Sequence, residues 1–148
     1  MTPVDESPMK LDIRLEFDAA SPSSDPNTGN IWVELNGDGF PERGWADFPI
    51  VVLGWWSEAL ISQRPNQRIQ WRFMDGPFEL SFEPESHDVY RVRRCGPGEA
   101  DPGQAMTLED IRLALIRALE EALQNSWLGE REAAVMRYDL AELRGDAW

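Results

Sequence analysis

The side chains that most often carry catalytic chemistry are scarce in this sequence of 148 residues. Its single histidine, His87, lies between Ser86 and Asp88, but neighbours in a chain do not point at a common atom, so they do not indicate a catalytic triad. One histidine also excludes a zinc site built on two histidines. The single cysteine, Cys95, follows three arginines, which would lower the pKa of its thiol and make it nucleophilic. No second activating residue accompanies it, so the sequence predicts no catalytic residue.

Carboxylates are abundant, with 27 Asp and Glu residues against 14 Lys and Arg. Asp38, Glu42 and Asp47 lie in a turn-rich segment where calcium could bind, but their spacing does not follow the order of ligands in an EF-hand. The glycines at 37–39 and 96–98 indicate turns, and neither group opens a phosphate-binding loop. The sequence therefore indicates no metal ion and no cofactor. An enzyme that uses a carboxylate pair is the weakest of the functional alternatives.

The formal net charge of −13 is unevenly distributed along the chain. Residues 1–60 carry a net charge of −8 and residues 99–148 carry −6, while residues 61–98 are nearly neutral at +1. A field of this sign repels nucleic acid and anionic membranes, and it speeds encounter with a basic partner. The same acidity could serve solubility alone. We therefore expect neither a nucleic acid nor a membrane as partner.

Alternation of apolar and polar residues in five segments predicts five β-strands, each with one buried face. The segments are residues 11–17, 31–36, 69–73, 78–83 and 88–95. The first two should pair in antiparallel fashion through the Ser-, Pro- and Asp-rich loop at 18–29. Arginines of the third strand and glutamates of the fourth should form cross-strand ion pairs. The pattern predicts an antiparallel sheet of about five strands.

Three segments have apolar residues at spacings of three and four, which is typical of helices packed on a core. The first runs from about Asp47 to Leu60, with Asp47 or a neighbour as its expected N-cap. The β-branched residues 50–52 leave a buried strand as the alternative. The second begins at Thr107 and should end near Trp127, and the third covers residues 130–144. We therefore predict an α+β fold, in which a central helix and two C-terminal helices pack on the sheet.

The whole chain, residues 1–148, is predicted to form one domain. Within it we expect a loose N-terminal end at 1–8, a sheet region with an inserted helix at 9–95, a loop at 96–106 and a helical hairpin at 107–144. No apolar run of about 18 residues occurs, and the N-terminus lacks a basic region followed by an apolar one. These features predict a cytoplasmic protein.

Four of the seven tryptophans lie between residues 31 and 60. Trp55 and Trp56 are adjacent, and adjacent residues of a helix diverge by about 100°, so one can face the core while the other lies at its margin. Burial of both is the structural interpretation. The functional interpretation makes Trp56 or Trp45 an exposed anchor among acidic residues, a combination that suits a protein interface.

The segment from Phe40 to Trp56 has the form F-P-x-x-G-W-x-D-F and ends in V-L-G-W-W. With the small size, the acidity and the α+β pattern, it resembles the immunity proteins that bacteria encode beside polymorphic or contact-dependent toxins. The resemblance implies a protein that binds one basic toxin, often a nuclease, and occludes its active site. No residue role is transferred by it. The partner-binding surface that we predict consists of Asp38, Glu42, Trp45, Asp47, Trp56 and Glu58.

Two other binding functions remain open. An acidic mimic of nucleic acid would inhibit a DNA-binding defence protein, and it would need regularly spaced carboxylates over a whole face. The near-neutral residues 61–98 argue against that pattern. An accessory domain of a secretion or regulatory complex would instead expose a large apolar patch.

Overall fold

The computed structural model describes residues 10–17, 28–98, 100–124 and 128–145. The predicted α+β fold is confirmed, since antiparallel strands are combined with one central and two C-terminal helices. The predicted loose end at 1–8 and most of the predicted loop at 18–29 lie outside the described residues. The elements are β1 (Leu11–Phe17), β2 (Gly29–Leu35), β3 (Asp38–Phe40), β4 (Ala46–Asp47), α1 (Pro49–Ile61), β5 (Ile69–Arg72), β6 (Glu79–Ser86), β7 (Val89–Cys95), β8 (Gln104–Thr107), α2 (Leu108–Leu123) and α3 (Glu130–Arg144).

The strands are divided between two antiparallel sheets. In the first sheet, β2 pairs with β1, β3 and β4, and in the second the order is β5-β6-β7-β8. The predicted pairing of the first two strands is confirmed, because β1 lies antiparallel to β2 with Leu11 opposite Leu35. Alternation along a strand specifies which of its faces is buried, but it carries no information on which strands share a sheet. Two sheets therefore take the place of one with about five strands.

Part of the predicted loop at 96–106 is a strand. β8 pairs with β7 so that Met106 lies opposite Tyr90. Met106 is the single buried residue of β8, and its neighbours in the strand are exposed. Four residues with one buried side chain give too short a pattern to recognise beside the glycines and prolines that precede them.

The central helix is confirmed for α1, and the strand alternative for residues 50–52 is wrong. The N-cap position is occupied by Phe48, the neighbour of Asp47, and no side chain caps the helix. Pro49 stands at the first helical position, where its missing N–H costs little. The Asp47 carboxylate accepts a hydrogen bond from the Phe48 backbone N–H at 2.8 Å instead.

The two C-terminal helices follow the predicted pattern. Thr107 caps α2 by accepting a hydrogen bond from the Asp110 backbone N–H at 3.2 Å. α2 ends at Leu123, and Trp127, near which its end was predicted, lies outside the described residues. α2 packs on β1, and α3 packs on both α1 and α2. In the described part of the chain, no helix has the length and apolar character needed to cross a bilayer.

Aromatic side chains form the middle of the core. The Trp56 ring of α1 stacks on the Trp71 ring of β5 with centroids 4.9 Å apart, and Trp71 meets Phe82 of β6 at 4.7 Å. Trp56 also donates its indole N–H to the Arg72 carbonyl at 2.8 Å. Phe40 of β3 contacts Phe73 at 5.9 Å, just beyond the end of β5. These contacts join α1 and the first sheet to the second sheet.

The ion pairs of the second sheet join different strands from those predicted. They link β6 to β7, with Arg93 and Glu83 2.7 Å apart and Arg91 paired with Glu85. β6 lies between β5 and β7, so its glutamates can reach cations on either side. The sequence pattern does not specify which neighbour they choose.

Candidate functional site

Three members of the predicted binding surface are structural. Trp56 is fully buried, so it cannot be an exposed anchor, and this assignment is wrong. Asp47 is only 5% exposed, so it cannot belong to a contact surface either. Its carboxylate accepts hydrogen bonds from the Trp45 indole at 3.0 Å and the Asp75 backbone N–H at 3.2 Å. Trp45 is half-buried, with its ring against Phe78 at 5.2 Å. These residues hold the loop before α1 onto the second sheet.

The other three members are exposed and lie on different elements. Asp38 lines a cavity of about 270 Å³ that also contains Arg94 and Asp101, so a cation of its own chain lies nearby. Glu42 belongs to the loop that follows β3. Glu58 lies on α1, where its carboxylate faces acidic residues of α3. These three carboxylates therefore lie on different elements, namely β3, the loop after it and α1.

Exposed apolar side chains identify a different surface. Among the described residues, the large apolar side chains that remain exposed are Trp55 at 44%, Met74 at 43%, Val135 at 53% and Tyr138 at 63%. Trp55 lies on α1, and Val135 and Tyr138 lie on α3, which packs against α1. Met74 follows β5 and lines a groove together with Trp55. Exposed apolar groups that lie close together often mark a protein-binding site.

Two exposed apolar residues of α3 share a side of the helix with two half-buried acids. Val135, Tyr138, Asp139 and Glu142 have the spacing of one helical stripe, while Met136, Leu140 and Leu143 are buried on another. Arg144 pairs with Glu120 of α2 at 2.9 Å. The side of α3 that contains Arg144 therefore faces α2. The stripe that contains Asp139 lies on the side toward α1, since the carboxylates of Asp139 and Glu58 interact.

Where α1 meets α3, Glu58 and Glu142 each lie close enough to Asp139 to repel its charge. Burial away from water, followed by the negative charges of Glu58 and Glu142, raises the pKa of the Asp139 carboxyl above its ordinary value. The cluster therefore repels itself, and a cation brought to it would relieve the repulsion. We define the α1–α3 surface as Trp55, Glu58, Val135, Tyr138, Asp139 and Glu142. It combines exposed aromatic rings with clustered acids.

The histidine and the cysteine lie away from this surface. His87 is exposed in the turn between β6 and β7, 3.3 Å from Asp88. Burial, followed by the negative charge of Glu79, raises the pKa of the Cys95 thiol. The expected lowering by the preceding arginines is wrong, because their side chains pair with Glu83, Glu85 and Asp101. Within residues 10–17, 28–98, 100–124 and 128–145, no group of three or more His, Cys, Asp or Glu side chains is placed to hold a metal ion.

Sequence reasoning chose Trp56 where the structure exposes Trp55. Helical spacing contained the signal, because Trp56 falls three and four residues from the buried Leu53, Val52 and Leu60. Trp55 lies three residues before the exposed Glu58, so these two side chains share the outer face of α1. The residues Val135 and Tyr138 were missed for a similar reason: they fall outside the apolar face of α3, and only their exposure in the folded chain distinguishes them from ordinary surface positions.

Comparison with known proteins finds no matching family model, no similar curated protein and no similar solved structure. The function is therefore inferred from the residues and geometry of this chain.

Proposed function

We propose that this protein is an inhibitor of the immunity-protein class, which binds a basic toxin, of nuclease type, and occludes its active site. Binding takes place through the α1–α3 surface. The observation that carries the proposal is the combination, on two packed helices, of exposed Trp55 and Tyr138 with the self-repelling carboxylates Glu58, Asp139 and Glu142. Aromatic anchors surrounded by charged groups are the usual composition of a strong protein interface.

Charge complementarity determines the kind of partner. A nuclease needs a cationic surface to hold phosphates. An inhibitor with a net charge of −13 is attracted to that surface over a distance, which raises association rates to about 10⁸ to 10⁹ M⁻¹s⁻¹ at low salt. On contact, a cation of the partner replaces the repulsion within the carboxylate cluster by attraction. An acidic inhibitor seated in this way blocks the approach of the phosphate substrate.

The test is binding to the protein products of neighbouring genes, measured by calorimetry at several salt concentrations. Glu58→Lys combined with Glu142→Lys should weaken binding at low salt by about tenfold for each charge and should flatten the salt dependence. The matched control, Asp38→Lys combined with Glu42→Lys, changes the net charge equally on exposed residues outside the α1–α3 surface. Equal weakening by both pairs would make this assignment of the surface wrong, and no binding by any product would make the immunity function wrong.

An accessory interaction domain is the second candidate function. It is favoured by the exposed apolar side chains Trp55, Met74, Val135 and Tyr138, which occur on neighbouring elements. Apolar association depends only weakly on salt, whereas binding through carboxylates weakens as salt screens them. Partner binding that is unchanged between low and high salt, and is lost on Tyr138→Ala, would favour this candidate over the toxin inhibitor.

A further inference from the structure

We propose that the groove beside Trp55 receives an arginine side chain of the basic partner. This inference rests on the proposed function, since it assigns one anchoring contact of the same interface. The groove has a volume of about 310 Å³ and lies between α1 and the connection from β5 to β6. That volume is at the lower end of the range, from about 300 Å³, in which proteins hold small molecules. It therefore suits a single side chain.

The groove is formed before any partner arrives. Phe78 in its wall is held by edge-to-face contacts with Phe40 at 5.9 Å and Trp45 at 5.2 Å. Gly96 supports the same ring from behind, because a Cβ added there would come within 2.6 Å of it. Gly76, at φ +79°, gives the connection its tight turn. A wall packed in this way loses little entropy when a ligand binds.

The apolar part of the groove fits the stem and the planar head of an arginine. Trp55 and Met74 stand exposed at its mouth, and the remaining apolar wall comes from Phe73, Pro77 and Phe78. Arginine covers apolar surface with its methylene stem. Its guanidinium stacks on an aromatic face by a cation–π interaction, which is strongest with tryptophan. The indole of Trp55 supplies such a face.

Glu79 supplies the negative charge. It lines the groove, and its Oε2 atom is buried without a hydrogen-bond partner among the described residues. A carboxylate oxygen buried without a partner is unfavourable. Because this oxygen is shielded from water, the guanidinium pairs with it after the Glu79 side chain turns outward by a change of rotamer, and the ion pair then removes the penalty. The planar guanidinium is the group best matched to a carboxylate, since it can donate two parallel hydrogen bonds. Glu79 and Trp55 therefore select arginine together.

Arg72 provides a discriminating test, because it lines the same groove with a positive charge. It lies opposite Glu79 in the pairing of β5 with β6, yet no ion pair joins the two in the described part of the chain. An arginine from the partner is repelled by Arg72, whereas an anionic occupant would be attracted. Arg72→Gln should thus strengthen the binding of a cation and weaken the binding of an anion.

The experiment uses the full-length ¹⁵N-labelled protein and the indole N–H signal of Trp55 in NMR spectra. The probe is an acetylated and amidated tripeptide of arginine, and the matched peptide contains citrulline, which has the same shape without the charge. We expect a saturable shift of the Trp55 signal with arginine and an affinity about tenfold lower with citrulline. Glu79→Gln should lower the affinity for the arginine peptide by a similar factor. Arg72→Gln should raise this affinity, and Glu42→Gln should leave it unchanged.

Three outcomes would overturn the assignment. The citrulline peptide could bind as tightly as the arginine peptide, a matched lysine tripeptide could do so, or the Arg72→Gln variant could bind the arginine peptide more weakly than the wild type. Retained indole signals of Trp56 and Trp71 establish that each variant is folded. Failure here is distinguishable from failure of the proposed function. If the peptide leaves Trp55 unperturbed while charge reversal of Glu58 and Glu142 still weakens the partner, only the groove is wrong.

Discussion

At the scale of single residues, the acids of this chain serve two different purposes. Asp47 is an interior group whose carboxylate receives hydrogen bonds from Trp45, Phe48 and Asp75. Asp139 lies beside Glu58 and Glu142, which are acids and repel its negative charge. Burial is the main cause of its raised pKa, and this repulsion adds to it. The first acid stabilises the fold by satisfying buried donors. Asp139 lowers stability, because its charge is partly buried beside other acids, and a cation of a basic partner would relieve this repulsion.

The pH dependence of stability follows from Asp139. Because its folded-state pKa lies above the ordinary value of 3.8, the folded protein holds more protons than the unfolded chain between these two values. The free energy of unfolding therefore falls as pH rises through this interval, and the penalty is complete above it. We expect Asp139→Asn to be more stable than the wild type at pH 7, with an advantage that shrinks toward pH 3.8.

Urea denaturation of both proteins at a series of pH values measures this effect. Val135→Ala is a suitable control, because Val135 lies on the same stripe of α3 as Asp139 and the substitution changes no ionisable group. It should shift the stability equally at every pH. A stability difference between Asp139→Asn and the wild type that stays constant from pH 7 to pH 4 would contradict the electrostatic account.

At the scale of elements, the pairing of β8 with β7 depends on one glycine. Gly103 precedes β8 with φ +76°, and a Cβ at this position would lie 2.5 Å from the Val92 carbonyl oxygen of β7. β8 can pair with β7 only because the chain approaches so closely. The exposed neighbours of Met106 contribute little to the strand, so its position depends on backbone pairing and on one buried side chain.

Gly103→Ala should therefore destabilise the protein by about 3 kcal/mol, through backbone strain and the clash with β7. Gly44→Ala is the matched control, because Gly44 has nearly the same φ, +78°, in open space. It should cost about 1 kcal/mol. Chemical denaturation gives both values, and amide hydrogen exchange should show the loss of protection in β8 for Gly103→Ala alone. Equal costs for the two variants would exclude the close approach as the cause.

At the scale of the whole molecule, an aromatic chain joins the two sheets. Phe40 of the first sheet contacts Phe73 and Phe78, and Phe73 meets Trp56 at 5.3 Å. The Trp56 ring in turn stacks on Trp71 of the second sheet. Apolar burial within this chain holds α1 between the sheets. The exposed side of α1, with Trp55 and Glu58, is thereby left free for a partner, while α3 packs against the same helix.

Substitution of the adjacent tryptophans tests this division of roles. Trp56→Ala should destabilise the protein by about 3 to 5 kcal/mol, the usual cost of removing a buried tryptophan. Trp55→Ala should cost less, about 1 to 2 kcal/mol, since Trp55 is 44% exposed and buries only part of its ring. Thermal and urea denaturation measure both. A comparable loss of stability for the two variants would mean that Trp55 supports the core and is not available to a partner.

The sequence by itself determined what depends on neighbours along the chain. Alternation and helical spacing are local properties, so they predicted the β1–β2 pairing, the three helices and the α+β class. Only the tertiary structure decided the division into two sheets, the strand β8, the burial of Asp47 and the meeting of Glu58 with Asp139. These features depend on contacts between residues far apart in the chain, and a local pattern carries no information about which distant partner a buried face or a carboxylate will meet.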